Sequence, residues 1–481
     1  MTQEKEGLIE TRSIDMVPDH ERHGTPFSQF TLWFGANMQI TTVVDGALAV
    51  VFGADPLWAF IGLFLGNLLG GAVMSLHSAQ GPRLGLPQMI SSRAQFGVLG
   101  AILPLVLAVV MYLGFATTGT VLSGQAINGI VGADNPVVGI IIFGSLTAVM
   151  ALLGYKYIHG LGRIATITGI IGFAYLTIMA FVKFPVASLF GVKPFAVSTF
   201  LLAVSLSAGW QLTFGPYVAD YSRYLPRSTS QASTFWNTFL GTVIGTQWAM
   251  TLGVIISAAS LAGYGSNFLK NQVGYLGELG GAGVIAILIY LVIVIGKLTV
   301  NTLNAYGSFM SMLTITTALN GKKSATTVQR TCFILGMIAV SMGIAIFASK
   351  DFLNLFKNFV LVLLMVFTPW SSVNLIDFYW ISKENIDVPG LYDPNGRYGK
   401  WNVAALTSYG LGVLMQIPFL STAMYTGPMT KMLGGTDISW IVGLLVTAFV
   451  YYPWAKRRSV APAEMVYPKE YKMAEEAGKI N

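Results

Sequence analysis

Trp33-Phe34-Gly35-Ala36-Asn37-Met38-Gln39-Ile40-Thr41-Thr42-Val43-Val44-Asp45-Gly46 lies inside the first long apolar stretch of the chain. Two amides and a Gly-Ala pair sit near the middle of sequence that is otherwise apolar enough for a bilayer. Glycine lowers helix propensity, and amides supply hydrogen bonds that an interrupted backbone lacks. The composition fits a discontinuous helix whose freed carbonyls hold a cation. It also fits close helix packing through the small pair. A counterpart appears five apolar segments later, in Ser205-Leu206-Ser207-Ala208-Gly209-Trp210-Gln211-Leu212-Thr213-Phe214-Gly215-Pro216-Tyr217-Val218-Ala219-Asp220-Tyr221. Gly209, Gly215 and Pro216 interrupt it, and Pro216 removes a backbone donor and clashes with the preceding turn. A kinked helix with aromatic packing would account for this stretch alone. Interrupted segments at corresponding positions of two halves point instead to a transporter site. Segments 1 and 6 run in opposite directions, so a five-segment repeat is inverted.

The composition agrees. Of 481 residues, 54% are hydrophobic and 10% are charged, against about 25% charged in a soluble domain. These values exclude a disordered chain, a basic nucleic-acid binder and a charged cytosolic enzyme. Cys332 is the single cysteine, which excludes an internal disulfide. Twelve apolar segments are expected near 28–52, 57–76, 97–130, 136–154, 161–182, 195–217, 233–260, 281–313, 328–348, 353–379, 402–422 and 438–454. Most reach the roughly 17–25 residues that a bilayer requires, and they are too long for barrel strands of about 10 residues. Residues 1–27 read as a polar tail with no cleaved signal peptide, 28–454 as one transmembrane domain and 455–481 as a second tail. Within that domain the repeats fall near 28–182 and 195–379, followed by two extra helices near 402–454.

Twelve spans place both tails on one side. That side carries 21 of the 28 Lys and Arg residues, whereas the opposite loops carry five: Lys183, Lys193, Lys270, Lys350 and Lys431. The positive-inside rule makes both tails cytoplasmic, in the cell (inner or plasma) membrane.

Polar groups at membrane depth need partners or a function. In segment 8, Lys297, Asn301, Asn304 and Ser308 recur at helical spacing and share a face. The stripe faces a water-filled cavity or forms an interhelical hydrogen-bond seam. In segment 3, Phe115 and Gly119 place an aromatic over a small residue. That pair suits a flat ligand, though core packing uses it too. His77 and His159 lie at expected cytoplasmic helix ends without ligand-spaced partners. Arg83 to Arg93 reads as a hinge loop. No zinc, P-loop or nucleophile-elbow motif occurs, and no cofactor is expected.

Several motifs in order resemble the nucleobase–cation symporter family, the purine–cytosine and hydantoin permease group, and the purine–cytosine branch most closely. They run from Ile9-Glu10-Thr11-Arg12-Ser13-Ile14-Asp15-Met16-Val17-Pro18 through Trp33-Phe34-Gly35-Ala36-Asn37 and Gly85-Leu86-Pro87-Gln88. Ser92-Arg93-Ala94-Gln95-Phe96-Gly97, Ala219-Asp220-Tyr221 and Asn304-Ala305-Tyr306 follow. The resemblance implies an all-α leucine-transporter fold of two inverted five-helix repeats plus two helices. It implies alternating access and cation-coupled uptake of a nucleobase-like ring such as cytosine or a purine. Allantoin, hydantoin, uracil or a vitamin precursor is the alternative cargo. Carried over by position, the ring contacts are Phe115, Trp210 or Phe214, and Asn301 or Asn304; Asn37, Gln39 and Gly119, from the segments themselves, complete the candidate substrate set. A sodium site would use the carbonyls of Ala36, Gln39 and Gly296 with Thr299. Val300 stands where sodium-coupled relatives have a second hydroxyl. Phe115 replaces a frequent Trp, and Tyr112 stands where cytosine-type members can have an amide.

The missing hydroxyl shifts the expected coupling ion from Na+ to H+. Asp45 and Lys297, at like depth in the outer halves of segments 1 and 8, are the titrating candidates. They are placed to pair, although a permanent ion pair or separate snorkelling is an alternative. The remaining partners are the substrate, the cation and the lipid bilayer, with no nucleic acid.

Overall fold

The structure, a computed structural model, describes residues 14–153, 155–321, 325–422 and 425–469, and only the backbone of 153, 155–161 and 163. Outside the description fall the tail motif through Ser13, the His159 and Lys156 side chains, Lys322, Lys323 and the end of the second tail. Among the described residues no strand occurs beyond two isolated bridges.

The helices in chain order are α1 (Phe27–Asn37), α2 (Ile40–Val51), α3 (Pro56–Leu84), α4 (Gln88–Ser91), α5 (Arg93–Phe96), α6 (Ile102–Val131) and α7 (Pro136–Leu153). Next come α8 (Tyr155–Lys183), α9 (Val186–Leu189), α10 (Val197–Leu212), α11 (Val218–Ser222), α12 (Gln231–Leu261) and α13 (Gln272–Gly280). The last are α14 (Val284–Asn320), α15 (Thr327–Ala348), α16 (Phe352–Leu375), α17 (Val403–Gln416), α18 (Pro428–Met432) and α19 (Ser439–Arg457).

Each expected segment falls on helix. By length and apolarity alone, six described helical runs can cross a membrane, and the bent pair α1–α2 makes a seventh. One run, Thr327–Ile381, contains two expected segments, separated by the 3-10 turn Ser349–Asp351. The expected loop at 77–96 is largely helical: α3 continues through Pro82 to a left-handed cap at Gly85, and α4 and α5 follow. On the outside of α8, Ile164, Ile167, Ile171 and Ile178 are exposed at helical spacing, the stripe expected of a lipid-facing helix.

The two halves pack alike. α10 lies along α3 as α1 and α2 lie along α12, and α6 crosses α14. These are the pairs second-to-sixth, first-to-seventh and third-to-eighth, as an inverted five-helix repeat requires. Both halves use glycine for the close approach. Gly62, Gly66 and Gly70 on α3 face the backbone of α10, and Gly241, Gly245 and Gly253 on α12 face that of α1 and α2. Without a hydrophobic driving force between helices, such small-residue stripes supply the packing. α17 and α19 pack on each other and on α16, outside the repeats.

A Cβ at Gly253 would overlap the Val43 carbonyl, whereas a Cβ at Gly336 meets nothing within 4 Å. Gly253→Val is expected to destabilise the protein by roughly 1–3 kcal/mol or more through overpacking. Gly336→Ala should be near neutral. Thermal unfolding of the purified variants in detergent checks both.

Candidate substrate cavity at the helix breaks

Both expected interruptions are present. α1 ends at Asn37 and α2 begins at Ile40, with Gln39 extended at φ −142°, ψ 153° and the two helices bent by 63°. α10 ends at Leu212, α11 begins at Val218, and Pro216 lies between them. A cavity of about 1030 Å³ reaches both breaks. Its lining starts at Ala36, Gln39 and Trp210 and extends to His23, Arg223 and Arg330 at the end of the molecule that carries the tails.

Of the eight expected substrate residues, Gln39, Phe115, Trp210, Phe214 and Asn304 line this cavity. Trp210 stands edge-on to Phe115 (5.7 Å between centroids) and to Phe214 (5.8 Å). Asn304 lines the wall, and its Nδ2 has no hydrogen-bond partner. The other three sit behind the wall. Asn37 donates from Nδ2 to the Trp33 carbonyl (2.7 Å) and Thr242 Oγ1 (3.1 Å), and its Oδ1 accepts the Trp210 indole N–H (2.8 Å). Asn301 donates to the Ala116 carbonyl (2.9 Å) and Thr120 Oγ1 (3.1 Å), which ties α14 to α6. Gly119 gives Asn301 its room, because a Cβ there would overlap Oδ1. Tyr112 and Tyr217 also line the cavity, with rings 5.5 Å apart, and neither was in the expected set. Their spacings, three before Phe115 and three after Phe214, are the signal that could have found them.

The expected carbonyl ligands at the first break are already engaged, that of Gln39 by the Thr42 N–H at 3.1 Å. The Ala36 carbonyl accepts Gln39 Nε2 (2.8 Å), and Gln39 Oε1 accepts Lys297 Nζ (2.7 Å). Gly296 and Thr299 lie within the unbroken α14, where Thr299 Oγ1 donates to the Ile295 carbonyl (3.2 Å). Asp45 is buried on α2, and neither of its oxygens has a hydrogen-bond partner. Asp45 and Lys297 form no ion pair, since Lys297 is turned to the break while α2 packs chiefly along α12 and α10. Among the described residues no three His, Cys, Asp or Glu side chains could hold a metal ion.

His77 and the Arg83-to-Arg93 region differ from expectation. His77 is buried, stacked on Trp370 at 4.7 Å, with Nε2 3.1 Å from Ser371 Oγ. Instead of a hinge loop, Gln80, Gln88 and Gln95 enter a buried chain. Gln88 N–H donates to Asp220 Oδ1, and Gln88 Nε2 to Gln80 Oε1. Gln80 donates to Asn374, Asn374 to Gln95, and Gln95 to Asp377. The Tyr451 hydroxyl of α19 also donates to Asp377 (2.7 Å).

Two interrupted helices at the head of a central cavity, in a membrane-grade inverted repeat, define a secondary transporter rather than an enzyme. A family profile described as permease for cytosine/purines, uracil, thiamine, allantoin matches residues 16–443. The chain is 37% identical over 457 residues to a Bacillus subtilis protein named as a purine-cytosine permease, YxlA, covering 94% of this chain and 96% of that one. It is 26% identical over 457 residues to the purine-cytosine permease fcyB of Emericella nidulans, covering 92% and 87%. The chain belongs to this permease family, the nucleobase–cation symporters. Among solved structures, the inward-facing conformation of Mhp1 matches with a TM-score of 0.74 at 17% identity, covering 97% of this chain and 99% of that one. A closed conformation of Mhp1 with bromovinylhydantoin bound matches at 0.72 and 17%, covering 98% and 100%. The fold is therefore the leucine-transporter fold, in a multi-pass membrane protein.

The hydrogen bonds separate structural amides from available ones. Asn37→Ala and Asn301→Ala are expected to lower stability by about 1–3 kcal/mol each, because they strand buried partners. Asn304→Ala should leave the unfolding temperature nearly unchanged. Thermal unfolding without ligand measures all three.

Proposed function

We propose that this chain is a cation-coupled symporter that imports a nucleobase-like heterocycle, such as cytosine or a purine, by alternating access. The cavity carries the reading. It heads at both helix breaks, is walled by Phe115, Trp210 and Phe214, and is lined by Asn304, whose Nδ2 has no protein partner. A planar base offers two π faces and a hydrogen-bonding edge. Stacking is worth about 1–3 kcal/mol per base and tolerates many rings, whereas an amide both donates and accepts and can read a lactam edge. Specificity then resides in the polar groups and general affinity in the aromatics. The lining runs from the breaks to the tail side, which is the cytoplasmic side if the Lys/Arg asymmetry sets the topology. In that reading the molecule is open inward, in the cell membrane.

A second reading keeps the mechanism and changes the cargo to allantoin, hydantoin, uracil or a vitamin precursor. Its support is a 23% identical match over 269 residues to the vitamin B6 transporter TPN1 of Saccharomyces cerevisiae, covering 53% of this chain and 46% of that one.

The coupling ion in this proposal is the proton. The Ala36 carbonyl already accepts Gln39, Val300 offers no side-chain oxygen, and the Lys297 ammonium sits at the break. Sodium prefers several hard oxygens and finds few that are free. Asp45 and Lys297 are the titrating candidates.

Uptake of labelled cytosine into proteoliposomes, competed by adenine, uracil, allantoin, hydantoin and pyridoxine, tests both cargo readings. Uptake is expected to follow an inward proton gradient and to ignore sodium. Strict sodium dependence without a pH response would refute proton coupling alone. Failure to accumulate any ring would overturn the transport proposal. Trp210→Phe, which keeps a π face, should retain more binding than Trp210→Leu, by about tenfold in Kd if stacking contributes about 1–3 kcal/mol.

A further inference from the structure

The charge inside the cavity is one-sided. Its described lining carries Lys297, Arg223 and Arg330 but a single acid, Asp220. Asp220 lies on α11 and accepts the Gln88 backbone N–H at 2.7 Å. Lys297 lies at the head of the cavity and is almost wholly buried. Its described partner is neutral: Gln39 Oε1, at 2.7 Å. An ammonium has three donors and no acceptor, so two donors remain for other groups. Burying a cation without a counter-charge is costly, and the cost falls when an opposite charge arrives with good geometry.

The ring edge that suits such a group can be specified. Asn304 can present either its oxygen or its nitrogen and so accepts many edges. Protonated Lys297 can only donate. Cytosine and adenine each carry an exocyclic amino donor beside neutral acceptors, O2 and N3 in cytosine and ring nitrogens in adenine, and both stay uncharged near neutral pH, whereas an oxopurine can lose a lactam proton. An amino group turned toward Lys297 would oppose donor to donor beside a positive charge. A carbonyl edge satisfies it, and an ionised lactam also supplies the missing counter-charge.

Resting on the nucleobase reading above, we infer that Lys297 is a specificity-determining residue. It selects rings that ionise to a lactam anion, such as acidic oxopurines, over bases that stay neutral.

The test is equilibrium binding of urate, xanthine, cytosine and adenine to the purified full-length protein at one neutral pH, by calorimetry in detergent. Urate, an anion under these conditions, and xanthine are expected to bind at least about tenfold more tightly than cytosine and adenine. Lys297→Met should reduce the preference for urate over cytosine by about tenfold or more, the size of one charge-assisted hydrogen bond. Lys297→Arg, which keeps charge and donors, should preserve the order. If Lys297→Met does not fold, the wild-type ranking decides. Cytosine or adenine binding as tightly as the oxo rings, or an unchanged ratio in Lys297→Met, overturns this inference and leaves the nucleobase reading standing. Binding of none of the four rings overturns the inference together with the nucleobase reading.

Discussion

A helix interrupted at membrane depth leaves backbone groups that water cannot reach, and each must find a partner inside the protein. The rest of this structure depends on that constraint. At the first break, Gln39 turns back to the Ala36 carbonyl, and Asn37 holds Trp33, Thr242 and Trp210 together. One buried amide thus connects α1 and α10, the helices that end at the interruption and its counterpart, with α12. The same bond fixes the Trp210 indole, so the aromatic wall of the cavity is set by the repair of the break. Opening the helix and building the site are one event.

The amide chain does not stop there. Thr242 donates to Gln211, Gln211 donates to Asn67, and Asn67 donates to Gln247. These bonds run through α12, α10 and α3 at the places where glycine stripes bring the backbones close. Close approach and polar linkage reinforce each other, because short interhelical distances let short side chains meet. The four helices are therefore linked by buried side-chain hydrogen bonds. A second polar chain, from Asp220 through Gln88, Gln80, Asn374 and Gln95 to Asp377 and Tyr451, joins α11 to α16 and α19. It gives α19, outside the repeats, a physical link to the broken half of the sixth segment.

Segment 8 shows how finely environment divides like residues. Asn301 and Asn304 are three positions apart, which rotates one from the other by about 60° on a helix of 3.6 residues per turn. That rotation turns Asn301 onto the Ala116 carbonyl and Thr120 and leaves Asn304 on the cavity wall without a partner for Nδ2. Lys297, one turn before Asn301, reaches the break and not Asp45. The charged pair suggested by equal depth does not form, because depth says nothing about which neighbour an element faces.

By itself the sequence determined what depends on local composition. Apolar length made the chain a helical membrane protein, and Gly, Pro and amides at matching positions marked the two interrupted segments. Charge asymmetry gave an expected orientation, and ordered motifs gave the family. These signals are local because the bilayer acts on each segment separately. The tertiary structure decided which side chains meet. It moved Asn37, Gly119 and Asn301 behind the wall, brought Tyr112 and Tyr217 into it, buried His77 against Trp370 and made Gln88 of the supposed hinge loop part of a polar network. It also tied Lys297 to Gln39, 258 residues away. Those outcomes depend on helix rotation and crossing within the bundle, and no spacing along a single segment encodes them.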